Sequence, residues 1–285
     1  MARVETSPIT ADDTGPAARF LHTELNSAVS VARWQALLQP SWPDAGPNRG
    51  FQLPVDGEVV GVYAAVYARR ETSTGPLTTC NLAAFCVREE YRMHSLKLVR
   101  ALLAQPGHVF TDFSPSGNVI AMNERLGMRT LDGTTRLVVN APRPAPRGVR
   151  LTEDPAALGS VLRDRDAEVY RDHADASAAR HLLVQRGSDY AYLVYRATSR
   201  KRLRLFAAPL YVGGDRGLLR EAWGGVRSRI LLRHRLPFTL AERRILGFTD
   251  GLGRALAHPR PKMVRGDVVD ADVDYLYSEL ALLAW

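Results

Sequence analysis

The sequence predicts a protein of the α/β class, more narrowly α+β, in which a mixed, mostly antiparallel central sheet is flanked by helices. Segments of alternating polarity, typical of strands, recur between segments of helical periodicity. Asp56-Gly57 lies between two strand-like runs, which is the signal of a tight hairpin. After a Pro- and Arg-rich stretch at 141–149 the order of helix, hairpin, strand, helix and strand begins again. We therefore expect two such units, at 1–140 and 150–285, joined by a linker at 141–149.

The first 140 residues carry clear element signals. Apolar residues at helical spacing predict helices at 11–26 and 29–38, and prolines with a glycine at 39–47 end the second helix. The other elements expected in this half are a strand at 3–9, hairpin strands within 51–70, a strand at 78–88, a helix at 95–105, a strand at 108–114, a helix at 114–127 and a closing hairpin or strand at 128–140.

The second half repeats the alternation with different residues. A stripe of leucines and valines predicts a helix at 155–172. The elements expected after it are paired strands at 190–197 and 202–212, helices at 217–234 and 240–258, and a strand followed by a helix or strand segment at 261–285.

The chain has 285 residues and a net charge of +8, which is unevenly distributed. Residues 1–140 balance 13 basic against 13 acidic side chains, whereas residues 141–285 carry 25 and 17. Within Arg196–Arg244 the count is 13 to 3. Such a block favours anionic partners, such as phosphorylated metabolites, acidic proteins or nucleic acid, but an arginine-rich solvated surface explains it equally well. No helix-turn-helix or ribonucleoprotein motif accompanies the block, so nucleic acid is the weaker alternative.

The sequence shows no pattern of export or membrane insertion. The start, MARVETSPITADD, lacks the basic-then-apolar order of a signal peptide, and no apolar run approaches the length of a membrane span. Cys80 and Cys86 lie in one predicted strand, without the spacing of a metal site or of a disulfide framework. We therefore expect a protein of the reducing cytoplasm that uses neither a metal nor a membrane.

One corner between a predicted strand and a predicted helix is unusually polar. The run NLAAFCV leads into VREEYRMHSLKLVRALLAQ at 87–105. The N–H groups of a helix's first turn have no internal partners, and together with the helix dipole they form an anion site. Arg92 adds a fixed positive charge there, and Ser95 can cap the helix or donate a hydrogen bond. This corner is therefore predicted to hold a pyrophosphate.

The order of these elements resembles the GCN5-related N-acetyltransferase (GNAT) family, in which a strand is followed by Arg/Gln-x-x-Gly-x-Gly/Ala and a helix. The matching stretch runs from Arg92 to Lys97, with Ser95 and Lys97 at the two small positions. The resemblance implies that amides of this corner hold the pyrophosphate of acetyl-CoA, the acyl-CoA co-substrate. It implies the following acyl-CoA-binding residues: Phe85, Val87, Arg92, Met93, His94, Ser95, Leu96 and Asn118.

A second stretch, SPSGNVIAMNERLGMRTLD, is similar to a later motif of the same family, Asn-x-x-Ala followed by Leu-Gly-Phe. Asn118 and Ala121 match its start, and residues 126–128 match its end. The resemblance puts Asn118 near the pantetheine of CoA. The position that often holds a tyrosine, the usual proton donor to the CoA thiolate, is Asn123, whose amide has no proton to give at neutral pH.

Acyl transfer from a thioester needs a base for the acceptor, a donor for the oxyanion and an acid for the departing thiolate. The resemblance implies backbone donors near Phe85–Val87. Asp112, a polar residue in a strand, is a candidate base, and an edge or outward position is the alternative explanation. His94 is a candidate acid or phosphate contact, against the alternative of a solvated loop histidine. Helix capping would account for one of Ser114 and Ser116, and the other could donate a proton in place of the missing tyrosine. We take Ser116 as this candidate proton donor.

The sequence and the resemblance together predict an acyltransferase. It would move an acyl group, most simply acetyl, from acyl-CoA to an amine or hydroxyl of a small-molecule acceptor by direct attack in a ternary complex. The basic second half favours an anionic or sugar-linked acceptor. Residues 1–140 would bind acyl-CoA, and residues 150–285, which lack an Arg-x-x-Gly loop, would form a degenerate GNAT-like unit that shapes the acceptor site. The alternative is a non-catalytic acyl-CoA-binding or scaffold protein. It is favoured by Ser95 and Lys97 at the two small positions of the Arg-x-x-Gly motif and by Asn123 at the position of the usual tyrosine.

Overall fold

A computed structural model of the chain describes residues 4–43, 46–72, 75–200 and 203–284, which form helices packed on two sheets. The helices are α1 (Thr14–Phe20), α2 (Val31–Leu38), α3 (Ser95–Leu103), α4 (Gly117–Arg125), α5 (Pro155–Val161), α6 (Asp164–His173), α7 (Arg216–His234), α8 (Arg243–Leu246) and α9 (Glu279–Leu282). The strands are β1 (Ser7–Pro8), β2 (Gly50–Val55), β3 (Glu58–Thr72), β4 (Gly75–Val87), β5 (Val109–Asp112), β6 (Arg129–Thr130), β7 (Thr135–Val139), β8 (Arg150–Thr152), β9 (Arg180–Arg186), β10 (Asp189–Arg200), β11 (Leu203–Gly214), β12 (Phe238–Glu242), β13 (Arg254–Ala255) and β14 (Met263–Arg265).

Within the described residues each sheet has seven strands. The first has the order β1-β2-β3-β4-β5-β14-β6, and the second has the order β13-β7-β12-β11-β10-β9-β8. Among the described strands, β4 with β5 and β11 with β12 are the parallel pairs, and all other pairs are antiparallel. A long helix connection is what a parallel pair requires, and α3 and α7 provide it. The predicted class, mixed and mostly antiparallel sheets flanked by helices in two units, is confirmed.

The two sheets exchange a strand. β7 precedes the stretch 141–149 but pairs with β12 of the second sheet. In return β14, near the end of the chain, pairs with β5 and β6 of the first sheet. Of the closing hairpin or strand expected at 128–140, the hairpin is wrong, because β6 and β7 belong to different sheets, whereas the strand is present as β7. Hydrogen bonding therefore crosses the predicted linker in both directions.

The hairpin predicted around Asp56-Gly57 is confirmed. Both residues have positive φ, 49° and 84°, which is the geometry of the tight turn that matches strand twist. The strands it joins, β2 and β3, pair in antiparallel register from Val55 opposite Glu58 to Gly50 opposite Ala64. Alternating polarity with this turn chemistry was sufficient to locate these elements.

Several segments differ from the sequence expectation. The helix predicted at 155–172 is two helices, because Leu162 and Arg163 are extended. The segment 240–258, predicted to be a helix, contains β12, α8 and β13 instead. Gly247 ends α8 with a φ of 78°, and a Cβ on Gly253 would lie 2.7 Å from Val138, so this glycine lets the chain approach β7. Neither β8 nor β9 was predicted.

The two halves share a hydrophobic core. Trp42 lies in the segment 39–47 that was predicted to be a loop, yet its side chain is buried. Its ring centroid lies 5.4 Å from that of His173 and 5.0 Å from that of Tyr277, both from the second half. Its indole N–H donates to the Tyr67 carbonyl at 2.8 Å. This proline-rich segment is thus a contact between the halves.

Candidate functional site

A cavity opens where β4 and β5 separate. The two strands pair in parallel from Thr79 opposite Val109 to Asn81 opposite Thr111, and their pairing ends there. Beyond that point lies a cavity of about 340 Å³ between the end of β4 and the segment that joins β5 to α4. Its lining includes Tyr63, Ala83, Phe85, Asp112, Ser114, Ser116 and Arg260.

The β4 wall of this cavity offers unpaired backbone. On its far side β4 stays paired with β3 as far as Val87. The register shifts between Ala64 and Ala65 of β3, which leaves Ala83 as a bulged residue of β4. Within the described ranges no strand covers the cavity side of β4 after Asn81. Its peptide groups are therefore available to a ligand carbonyl or to an extended chain.

Asp112 ends β5 in the floor of the cavity and is 5% exposed. Its Oδ2 accepts a hydrogen bond from Asn123 Nδ2 at 2.9 Å, and its Oδ1 accepts from the Ser114 N–H at 3.2 Å. Burial raises the pKa of Asp112 to about 6, although these two hydrogen bonds act in the opposite direction. A carboxyl with such a pKa is ionised at neutral pH and takes up a proton readily, as a general base must.

A second carboxyl group, that of Glu279, lies beside Ser114. Glu279, on α9, is fully buried, and its Oε1 lies 2.7 Å from Ser114 Oγ. Its Oε2 has no hydrogen-bond partner among the described residues. Burial, together with the nearby charge of Asp112, raises the pKa of Glu279 to about 8, against the effect of the Ser114 hydrogen bond. At neutral pH Glu279 is therefore mostly a neutral acid.

The Glu279 carboxyl should make stability depend on pH. A raised pKa means that the folded state binds the proton more tightly than the unfolded chain does. The stabilising contribution is fully present below the ordinary carboxyl pKa and is lost as pH rises through about 8. We expect the wild type to lose on the order of a few kcal/mol relative to Glu279→Gln across this window. Urea unfolding of both proteins at pH 5, 7 and 9 measures the difference, and parallel pH profiles would contradict it.

Comparisons with known proteins add information about the fold. No family model and no curated protein matches the sequence. A GCN5-related N-acetyltransferase from Kribbella flavida is 14% identical with a TM-score of 0.59, over 93% of this chain and 71% of that one. One from Anabaena variabilis is 10% identical with a TM-score of 0.58, over 92% and 72%. Saccharomyces cerevisiae N-myristoyltransferase with bound myristoyl-CoA is 9% identical with a TM-score of 0.51, over 100% and 86%.

The chain has the GNAT fold. The cavity lies where the parallel strands β4 and β5 of this fold separate. Of the residues predicted for catalysis, Asp112 and Ser116 both line this cavity, and His94 does not. Of those predicted to bind acyl-CoA, Phe85 lines it as well. Their roles stay predictions.

The corner before α3 differs from the open loop that the GNAT motif predicts. A 3-10 helix runs from Glu89 to His94 and continues directly into α3, and the Ser95 N–H donates to the Arg92 carbonyl. Arg92 Nη2 forms an ion pair with Glu89 Oε2 at 2.6 Å on the surface. At least one amide of the first turn is therefore already used within the chain.

The other predicted corner residues lie apart from the cavity. Met93 is 83% exposed and Leu96 is 48% exposed, while His94 and Val87 are half-buried. The side chain of Asn118 lies outside the described residues, although its backbone belongs to α4. Contact of these residues with acyl-CoA is not tested by the fold.

Asn123 and the two serines have roles that differ from those expected. Asn123, at the position of the usual GNAT tyrosine, is buried and donates to Asp112, so it orients the candidate base. Neither serine hydroxyl caps α4: Ser116 makes no side-chain cap bond, and Ser114 donates to Glu279. The expectation that capping occupies one of the serines is wrong. Ser114 is the serine that is connected to a buried acid.

Tyr63 is a site residue that the sequence reasoning missed. It lies on β3, lines the cavity and is 2% exposed, with its ring centroid 4.5 Å from that of Phe85. Burial and the charge of Asp112 raise its pKa well above the usual range of tyrosine, so it stays a neutral phenol. A tyrosine in an alternating strand gives no sequence signal of such a position, because the pattern only predicts that it is buried.

Many arginines of the basic block have partners inside the protein. Arg196, Arg227 and Arg244 are largely buried and donate to backbone carbonyls. Arg229 and Arg233 lie close to Glu153. These side chains support the fold, so the excess of basic residues overstates the positive charge offered to an external partner.

The described residues also lack two other kinds of feature. Among them, no helix combines the length and the apolar character that a membrane span requires. Over the same ranges no three His, Cys, Asp or Glu side chains come together as metal ligands would. Cys80 is buried, Cys86 is half-buried, and both are free thiols.

Proposed function

We propose that the protein is an acyltransferase that moves an acyl group, most simply acetyl, from acyl-CoA to the amine or hydroxyl of a small acceptor. The supporting observation is the cavity at the separation of β4 and β5, which brings unpaired strand backbone and Asp112 together. The GNAT fold supports acyl-CoA as the donor. A cytoplasmic location remains the expectation from the sequence.

The β4 edge is the proposed seat of the thioester. Backbone N–H groups near the bulge at Ala83 and towards Phe85 would donate to the carbonyl oxygen, where negative charge develops during attack. The pantetheine arm would lie in extended form beside β4, as an added strand would. The proposed oxyanion donors thus include backbone near the bulge at Ala83 as well as the predicted donors at Phe85–Val87.

Asp112 is the proposed general base. It would accept a proton from the acceptor amine, directly or through one water, as the nitrogen attacks the thioester carbon. Asn123 holds the carboxylate by its Oδ2, and the Ser114 N–H holds it by its Oδ1. Transfer is direct: the new C–N bond forms, the C–S bond breaks and no acyl-enzyme is needed.

Ser114 and Glu279 are the proposed source of the proton for the departing thiolate. Ser114 lines the cavity, and its Oγ lies 2.7 Å from Glu279 Oε1. For this step the Glu279 proton would be on Oε1 and the Ser114 hydroxyl would turn towards sulfur, so that Ser114 gives its proton to the thiolate as it receives the proton of Glu279. After turnover Asp112 holds the proton taken from the acceptor. Return of this proton to Glu279 restores the ionised Asp112 and the neutral Glu279. Ser116, exposed at the start of α4, and Tyr63 are the alternative donors.

The acceptor is proposed to reach this cavity from the side of the second half. Arg260, which follows β13, lines the cavity, so residues 150–285 help to shape the site. The basic character of these residues supports an anionic or sugar-linked acceptor.

A non-catalytic acyl-CoA-binding protein is the second candidate function. The 3-10 helix that replaces an open loop before α3 favours it, because this corner has fewer free amides for a pyrophosphate. Release of CoA thiol from acetyl-CoA on addition of an acceptor would exclude it. Amino acids, amino sugars and polyamines form a suitable first panel.

Arg92→Ala tests the corner directly. We expect the wild type to bind acetyl-CoA with a micromolar dissociation constant and the variant to bind about tenfold more weakly, because one charge-assisted contact to phosphate is lost. Titration calorimetry measures both constants. Arg100→Ala, at another exposed arginine in α3, is the matched control. Equal weakening in both variants would show a diffuse charge effect, and absence of binding by the wild type would refute the proposed function.

A further inference from the structure

A second cavity lies in the second sheet, at the place that corresponds to the first. β11 and β12 pair in parallel at Phe206 opposite Phe238 and at Ala207 opposite Thr239, and their pairing ends there. A cavity of about 200 Å³ lies beyond that point. Its apolar wall is drawn from both halves and includes Phe113, Leu210, Leu240 and Leu280. The acyl-transfer steps proposed above make no use of this cavity.

The charged residues that line the cavity are unequal in sign. The lining contains three cationic side chains, those of Arg196, Arg260 and Lys262, and one carboxylate, that of Glu242. Glu242 is 3% exposed, and both of its oxygens are occupied. Its Oε2 accepts from Lys262 Nζ at 2.5 Å, and its Oε1 accepts from Arg244 Nη2 at 3.2 Å. The cavity therefore has more cationic than anionic side chains, and its one carboxylate has no free oxygen to bind a cationic ligand.

Two of the lining arginines have unused donors. Arg196 donates to the Leu280 carbonyl at 2.8 Å and to the Leu283 carbonyl at 3.1 Å, but its buried Nε has no partner in the described chain. Burial lowers the pKa of Arg196 only to about 10, so the guanidinium stays charged at neutral pH. Arg260 is exposed, and no described carboxylate forms a salt bridge with it. Unused cationic donors in a partly apolar cavity match a ligand that carries only acceptors.

We propose that the second cavity binds the anionic group, a carboxylate or a phosphate, of a small molecule whose apolar body lies against Phe113 and Leu210. An entering anion would balance the excess of buried positive charge and would accept from the unused N–H groups. A cationic ligand would be repelled by three like charges. The volume limits the bound part to a few carbon atoms beside the anionic group.

Arg260 connects this cavity to the first, because it lines both. A molecule held at its anionic end by Arg260 and Arg196 can extend towards Asp112, which lines the first cavity. If it carries an amine, it is the acceptor of acyl transfer, and this identification rests on the proposed function. Binding of the anion itself does not rest on it.

Calorimetry without acyl-CoA tests the proposal separately from catalysis. The probes are 4-methylpentanoate, isobutyl phosphate and the uncharged 4-methylpentanamide, which matches the carboxylate in shape. We expect at least one anion to bind with a dissociation constant of about 1 mM or lower, and the amide to bind at least about tenfold more weakly. The stronger of the two anions distinguishes a carboxylate site from a phosphate site.

Two variants locate the binding. Arg260→Ala removes an exposed side chain without disturbing the buried cluster, and we expect about tenfold weaker binding of the anion. Arg254→Ala, at an exposed arginine on β13 outside the cavity, should leave the affinity within about twofold of the wild type. Equal binding of the amide, an unchanged affinity in Arg260→Ala, or no binding of any probe would each overturn the proposal.

Discussion

Replacing Asp112 by asparagine is expected to lower kcat for acyl transfer by about 100- to 1,000-fold, because general-base assistance contributes a factor of this size. The substitution keeps the size of the side chain. Asn123 can turn its amide to present oxygen to the new amide, so the buried site keeps its hydrogen bonds. The measurement is the initial rate of CoA thiol release with acetyl-CoA and the best acceptor of the panel.

The pH dependence distinguishes loss of a base from loss of structure. In the wild type the rate should rise with pH through about 6, the pKa to which burial raises Asp112, because only the ionised form accepts a proton. Asp112→Asn should lack this rise while binding acetyl-CoA as the wild type does. Glu124→Gln, at an exposed acid on α4, is the matched control and should retain full activity. A rate for Asp112→Asn within threefold of the wild type would remove Asp112 from the mechanism.

Replacing Glu242 by alanine is expected to lower the free energy of unfolding by about 3–5 kcal/mol, the usual cost of breaking a buried ion pair from one side. Glu242 joins Lys262 and Arg244, and it also accepts from the Tyr275 hydroxyl. Without the Glu242 carboxylate, Lys262 and Arg244 lose their negative partner, and the buried Tyr275 hydroxyl loses a hydrogen-bond acceptor. Urea unfolding followed by circular dichroism measures the change.

A double variant tests the cause of that loss. Glu242→Leu combined with Lys262→Met removes one charge of each sign and fills the space with apolar groups, so most of the lost stability should return. Glu221→Ala breaks the exposed pair with Arg186 and should change the unfolding transition little. A double variant as unstable as Glu242→Ala would mean that packing, not charge, determines the loss.

Local sequence patterns were sufficient for the elements around the first cavity. Alternation, a turn signal and helical periodicity predicted β3, β4, α3, β5 and α4 in their order. They placed Asp112 inside a strand at 108–114, whereas β5 ends at Asp112. They did not predict Glu279 beside Ser114, because the two residues are 165 positions apart. Periodicity reports which face of an element is buried but not which element covers it.

The errors in the second half have a physical reason as well. The segment 240–258 contains apolar residues at helical spacing, but Gly247 and Gly253 allow a left-handed turn and a close approach to β7 that override this spacing. The basic block at Arg196–Arg244 shows a second limit of sequence patterns. A count of charges does not show that Arg196 and Arg227 donate to carbonyls of distant residues.

The exchange of β7 and β14 has a consequence for synthesis on the ribosome. The neighbour that completes the sheet beside Asp112 is Met263 of β14, and Glu279 follows still later in the chain. A nascent chain cannot bring the buried carboxyl groups of Asp112 and Glu279 together until residue 279 has been translated. A product that terminates before residue 263 lacks both the covering strand and the second acid, so partial chains cannot begin acyl transfer by the proposed route.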